Sequence, residues 1–170
     1  MPIELLIFLT VFTPALVGGL SLFFSKNPNV RDTVTLLGAL FTFYFSANIF
    51  LGFDGQATQY RLATIMPGID ISFHIEPLGI IFSLLASGLW ILTHIYAIGY
   101  MRGALEKNQS RFFFFFSVSI ASVMGISFSG NLFTLFLFYE LLTLITFPLV
   151  SHKGSSLSLI HISEPTRHES

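Results

Sequence analysis

Long apolar runs, each closed by charged or turn-forming residues, organise this chain. Crossing the hydrocarbon core of a bilayer takes about 20 apolar residues in a helix, and five runs approach that length. The first extends from about Ile3 to Phe24 and stops at Ser25-Lys26-Asn27-Pro28-Asn29, a cluster of helix breakers. The second runs from about Thr33 to Phe53 and ends at Asp54-Gly55. The third covers Pro77 to Tyr100 and follows Glu76; proline suits a first helical turn, and an acid suits the positive end of a helix. The fourth covers Phe112 to Phe128, and the fifth covers Leu132 to Val150 after the turn Ser129-Gly130-Asn131. Between the second and third runs, Ile69 to Ile75 alternates apolar and polar residues behind Pro67-Gly68, the pattern of a half-buried strand after a turn. The pattern predicts an all-α integral membrane protein of five transmembrane helices, with a small external β-hairpin lying on the membrane surface.

The two ends of the chain read differently. Met1-Pro2-Ile3-Glu4 carries an acid and no Lys or Arg precedes residue 26, which is not the pattern of a secretory leader, so the first run is expected to be a retained helix. From Ser155 onward the text turns polar and loses any helical period. It resembles translated sequencing-adapter read-through. Residues 1–154 are therefore read as the five-helix membrane segment and 155–170 as a non-native or disordered tail, and His161 and His168 receive no role.

Composition strengthens the membrane reading. Hydrophobic residues make up 53% of the chain and charged residues 10%, with 21 phenylalanines. An average soluble domain carries about a quarter charged residues, so too few are present to coat a water-facing surface. No basic patch exists for nucleic-acid phosphates. The chain has no cysteine, which excludes disulfides and thiolate metal sites. No phosphate-binding glycine loop, zinc-binding HExxH or nucleophile elbow occurs, so neither a cofactor nor a metal is expected. The single Trp90 signals nothing specific, and the run Phe112 to Phe116 is read as lipid-facing and core bulk.

Charge also orients the spans. Lys26 and Arg31 fall between the first two runs, Arg102, Lys107 and Arg111 between the third and fourth, and Lys153 after the fifth; the other side holds only Arg61, with Asp54, Asp70 and Glu76. Lys and Arg favour cytoplasmic loops. The expected arrangement is multi-pass in the inner (plasma) membrane, N-terminus outside, end of the fifth helix cytoplasmic.

Glu140 is the one acid or base near the middle of a predicted span, flanked by Tyr139 and Leu141 within an apolar run. A charge at mid-bilayer costs about 2.5–3.5 kcal/mol on insertion scales, and a partner, a water-filled cavity or protonation must offset it. A carboxyl poised between its two forms is suited to relaying protons; the bland alternative is a protonated glutamate acting as interhelical glue. His94, in the cytoplasmic half of the third span, is a second candidate proton relay, weighed against a neutral, hydrogen-bonded histidine. Tyr139 and Thr143 are supporting polar residues, with Thr146 a turn further on; helix packing is the competing role. Asp70 and Glu76 are read as surface or capping residues.

The stretch Asn131 to Phe136, Tyr139-Glu140-Leu141-Leu142-Thr143-Leu144 and Phe147-Pro148-Leu149-Val150 resembles the fifth helix of the antiporter-like subunits shared by Mrp-type cation/proton antiporters and respiratory complex I. Ile75-Glu76-Pro77-Leu78-Gly79 is similar to that family's start of helix three, and His94-Ile95-Tyr96 with Gly99-Tyr100-Met101 to its end. Ser151-His152-Lys153-Gly154 resembles the D-type branch of the Mrp proteins most. The resemblance implies an N-terminal part of a larger helical bundle, working with other membrane subunits and carrying protons, with sodium as a candidate counter-cation. It also implies that Glu140 pairs with a lysine in a later segment, absent here. Two classes stay open, a cation/proton antiporter subunit and a proton-pumping subunit of complex I or a membrane-bound hydrogenase, with a structural membrane protein as a weaker third.

Overall fold

The computed structural model describes residues 2–55, 58–106 and 108–150. Seven elements follow in order: helices α1 (Ile3–Phe23) and α2 (Pro28–Gly52), strands β1 (Thr58–Met66) and β2 (Ile69–Ile75), then helices α3 (Pro77–Gly103), α4 (Gln109–Ser127) and α5 (Leu132–Val150). All five helices are long and apolar enough to cross a membrane. The mostly helical fold and its small two-stranded sheet agree with the hydropathy reading. The tail expected over 155–170 lies outside the described residues.

Helix starts moved outward from the apolar runs. Helix α2 begins at Pro28 rather than Thr33, and α4 at Gln109 rather than Phe112. Proline supplies the first-turn geometry of α2 with no N–H to satisfy. Arg31 and Asp32, expected in a loop, are therefore helical, and both are buried.

α1 packs on α2 and α4, α2 on α3, α3 on α4, and α4 on α5. Lipid tails are as apolar as leucine, so burial of leucine between spans gains little; close packing and interhelical hydrogen bonds must supply the cohesion. Glycines sit at the crossings accordingly: a side chain on Gly38 would run into Val17, and one on Gly125 into the Phe138 ring.

The hairpin closes one end of the bundle. Antiparallel β1 and β2 pair from Thr58↔Ile75 to Met66↔Ile69 with two register shifts, and Gly68 takes φ +87° in the turn, a conformation glycine adopts freely. Phe73 and Ile75 point into an apolar core with Leu6, Ile7, Ile49, Ile80, Met124 and Phe128. The strand backbone also grips the α4–α5 turn: His74 N donates to Phe128 O (2.7 Å) and Gly130 N to Ser72 O (2.8 Å). Asn131 caps α5 by accepting from Thr134 N (2.7 Å) while its amide donates to Asp70 O (2.7 Å). An N-cap of this kind satisfies a backbone donor that the helix cannot.

The α2–α3 seam is polar through much of its length. Buried on α2 are Asp32, Thr35, Thr42 and Ser46, and on α3 Ser83, Ser87 and His94. Ser46 and Ser83 hydroxyls meet at 2.8 Å, while Ser83 also donates to Ile80 O. Ser46→Ala should cost less than about 1 kcal/mol, because intramembrane hydrogen bonds average about 0.6 kcal/mol and Ser83 keeps its backbone acceptor. A thermal unfolding comparison in detergent measures this.

Candidate functional site

At the end of the bundle opposite the hairpin, three charges meet. Asp32 accepts from Arg31 Nε at 2.7 Å through Oδ1 and from Arg102 Nε at 2.7 Å through Oδ2, and both guanidinia add a second contact to the same oxygens. Arg31 continues to Gln109 Oε1 (2.9 Å) and Ser110 Oγ (3.4 Å) on α4 and lies over the Phe113 ring at 4.9 Å. Gln109 in turn donates to Met101 O (2.9 Å). One carboxylate thus binds α2 to α3, and one guanidinium binds α2 to α4. Arg31 is 3% exposed and cannot reach water, whereas the Arg102 side chain is 42% exposed.

One turn deeper sits His94, fully buried. Its Nε2 lies 2.7 Å from Thr35 Oγ1. Thr35 Oγ1 also reaches the carbonyls of Arg31 (3.0 Å) and Asp32 (3.1 Å); with its single hydroxyl proton turned to them it accepts from the imidazole. That arrangement makes His94 the Nε2–H tautomer, with Nδ1 as an acceptor. Phe116 stacks parallel to the ring at 6.2 Å, and Phe113 and Trp90 close two more sides.

Glu140 stands apart from this cluster. It is exposed on α5, whose buried residues are only Thr134 and Phe138. Among the described residues its carboxylate has no hydrogen-bond or ion-pair partner. Thr143 donates to the Glu140 backbone carbonyl (2.8 Å), not to the carboxylate, and Thr146 to Thr143 O (3.1 Å); Tyr139 is exposed. The structure thus brings His94 together with Thr35 and the ion cluster, and leaves Glu140, Tyr139 and Thr143 on an open helix face. Asp70 pairs with Arg61 (2.9 Å) and Glu76 with His74 (3.0 Å) at the hairpin. No group of three or more His, Cys, Asp or Glu able to hold a metal occurs among the described residues.

Sequence reasoning missed Arg31, Asp32 and Arg102 as a unit. The available signal was Asp32, Thr35, Thr42 and Ser46 recurring at helical spacing, a polar stripe on one side of an apolar helix.

Residues 66–113 match the family model described as NADH-Ubiquinone oxidoreductase (complex I), chain 5 N-terminus. That segment contains all of α3, with His94 and Arg102, and the start of α4. A putative antiporter subunit mnhA2 of Staphylococcus haemolyticus is 30% identical over 111 residues, 64% of this chain and 14% of that protein. The chloroplastic NAD(P)H-quinone oxidoreductase subunit 5 of Chaetosphaeridium globosum is 30% identical over 151 residues, 84% of this chain and 22% of that protein. By these matches this chain is similar to the antiporter-like membrane subunits of both kinds. Its fold also matches a chain of the membrane-bound sulfane sulfur reductase, an archaeal respiratory membrane complex, with a TM-score of 0.70 over 94% of this chain and 23% of that one, at 16% identity. This chain spans about a fifth or less of the curated relatives' length. Those relatives are antiporter A-type subunits and subunit 5 proteins, and they lend nothing to a placing beside the D-type branch. Ser151 to Gly154, on which that placing rested, lie outside the described residues.

Proposed function

We propose that this chain supplies the first five spans of a membrane subunit that translocates protons, in exchange for another cation, with Glu140 as its intramembrane relay. The observation that carries the reading is a mid-helix carboxylate on an exposed face of α5 with no partner among the described residues. An unpaired carboxylate in hydrocarbon is costly, and a lysine on a neighbouring span would offset it. None of the five helices here holds a lysine, so the partner comes from another segment or subunit. The antiporter names among the relatives support exchange. The companion reading, a proton-pumping subunit of a quinone-reducing complex, is favoured by the match to chain 5 and by the 84% coverage of this chain in the subunit 5 alignment. Cation-dependent proton flux without quinone chemistry selects the first reading; proton flux that requires quinone reduction selects the second. In either case the subunit works beside other membrane subunits, in the inner membrane, with the Arg31–Asp32–Arg102 end facing the cytoplasm.

Glu140→Gln in the assembled protein is expected to abolish coupled proton movement while the subunit still accumulates in the membrane. Undiminished coupling in a normally assembled variant overturns the relay role.

A further inference from the structure

Three buried side-chain polar atoms lack a protein partner among the described residues: Trp90 Nε1, His94 Nδ1 and Ser117 Oγ. Ser117 lies against Gly18 of α1, on another seam. The other two belong together. Trp90 and His94 are four residues apart on the buried side of α3, which places them on one face a turn apart, and their ring centroids are 6.2 Å apart in an edge-to-face arrangement. One is an obligate donor, the indole N–H. The other is an acceptor in the Nε2–H tautomer, the one that matches a Thr35 hydroxyl turned to its own helix carbonyls. Both residues are 1% exposed or less. An unsatisfied buried donor or acceptor costs about 1–3 kcal/mol, and buried polar groups are as a rule satisfied by protein or by ordered water.

We propose that ordered water binds between Trp90 Nε1 and His94 Nδ1, accepting from the indole and donating to the imidazole, and that this water makes His94 a proton-accepting station on the α2–α3 seam. A water making two hydrogen bonds of about 2.9 Å bridges polar atoms roughly 5 Å apart, which ring centroids 6.2 Å apart allow. A proton passed along the water is taken up at Nδ1: the O–H bond of the protonated water breaks as the Nδ1–H bond forms, and neutral water remains. Nε2–H stays hydrogen-bonded to Thr35 throughout; on release the Nδ1–H bond breaks and the same water takes the proton back, so His94 stores a proton on the seam rather than carrying it across. The charges that would face the imidazolium are Asp32 and Arg31 on α2 and Arg102 on α3. The α4 side offers only Phe113 and Phe116 rings, whose faces favour a cation. The water site stands on side-chain geometry alone. Its use in proton movement rests on the transport reading above.

The test has two independent readouts on the assembled protein in its membrane. Pulsed hydroxyl-radical footprinting generates the radical from water itself, so it marks buried side chains that touch water. Trp90 should be oxidised, while Met124, equally buried in the apolar core, stays unmodified; a Trp90 as inert as Met124 overturns the water site. His94→Gln keeps a donor for Thr35 but cannot titrate. It should lower proton flux, because the seam loses its proton store, with Trp90 still labelled. Labelling with undiminished flux in His94→Gln overturns the station. If Glu140→Gln also leaves flux intact, the transport reading itself falls, and the water site is judged by footprinting alone.

Discussion

Asp32→Asn should unfold or degrade this bundle more readily than any other single polar change in it. The substitution preserves shape but removes the one negative charge between two guanidinia. Breaking a buried ion pair by deleting one partner costs about 3–5 kcal/mol, because the remaining charge stays desolvated. Arg102 can swing its half-exposed side chain toward the membrane surface, as long basic side chains do. Arg31 has no such exit, held as it is by Gln109, Ser110 and the Phe113 ring. The loss should therefore sit mainly with Arg31. Arg102→Gln, which leaves the Arg31–Asp32 contact in place, should cost about 1 kcal/mol, in the range of an exposed pair. Thermal unfolding of the purified protein in detergent ranks the two. Equal losses would mean that Arg102, not Arg31, carries the penalty.

The second large effect is steric. A methyl on Gly79 would collide with the backbone carbonyl oxygen of Ser127 at the α3–α4 crossing. Ser127 is the last residue of α4, and a backbone carbonyl there gives way less easily than the end of a flexible side chain, so Gly79→Ala must shift α3 against the end of α4. Overpacking costs about 1–3 kcal/mol, and here the upper end is expected. Gly19 and Gly99 have nothing within 4 Å of the same methyl position. There alanine should instead stabilise by about 0.4–1 kcal/mol, through the entropy of the unfolded chain. Measuring the three variants side by side separates the close approach at Gly79 from a general intolerance of α-helical glycine substitution.

What could be read without coordinates followed the two periods that burial imposes. Apolar runs of about 20 residues and the Ile69–Ile75 alternation revealed all five helices and the hairpin. Arg31 and Asp32 escaped because a hydropathy reading ends a span at its first charges, whereas Pro28 starts this helix four residues before Asp32. Pairing of Asp32 with Arg102, seventy positions away, is a tertiary fact with no local trace. Glu140 stood out because it is a lone acid in an apolar run, yet its direction was not legible. Helix α5 is apolar on every side, so no period distinguishes its packed face from its open one. His94 was recognisable as unusual, but its hydrogen-bond partner Thr35 lies on a different helix. The glycine crossings were likewise hidden, since a glycine reads the same whether a neighbour touches it or not.

Asn131 holds the first turn of α5 and the hairpin carbonyl of Asp70 with one side chain. That double attachment sets the azimuth of the whole helix. Adjacent positions on a helix differ by about 100°, so a slip of one residue at Asn131 would turn the carboxylate nine positions later, about 14 Å further along the axis, well away from its present bearing. The hairpin thus works as a compass bearing for Glu140, and damage to that clasp should mis-aim the acid without touching it.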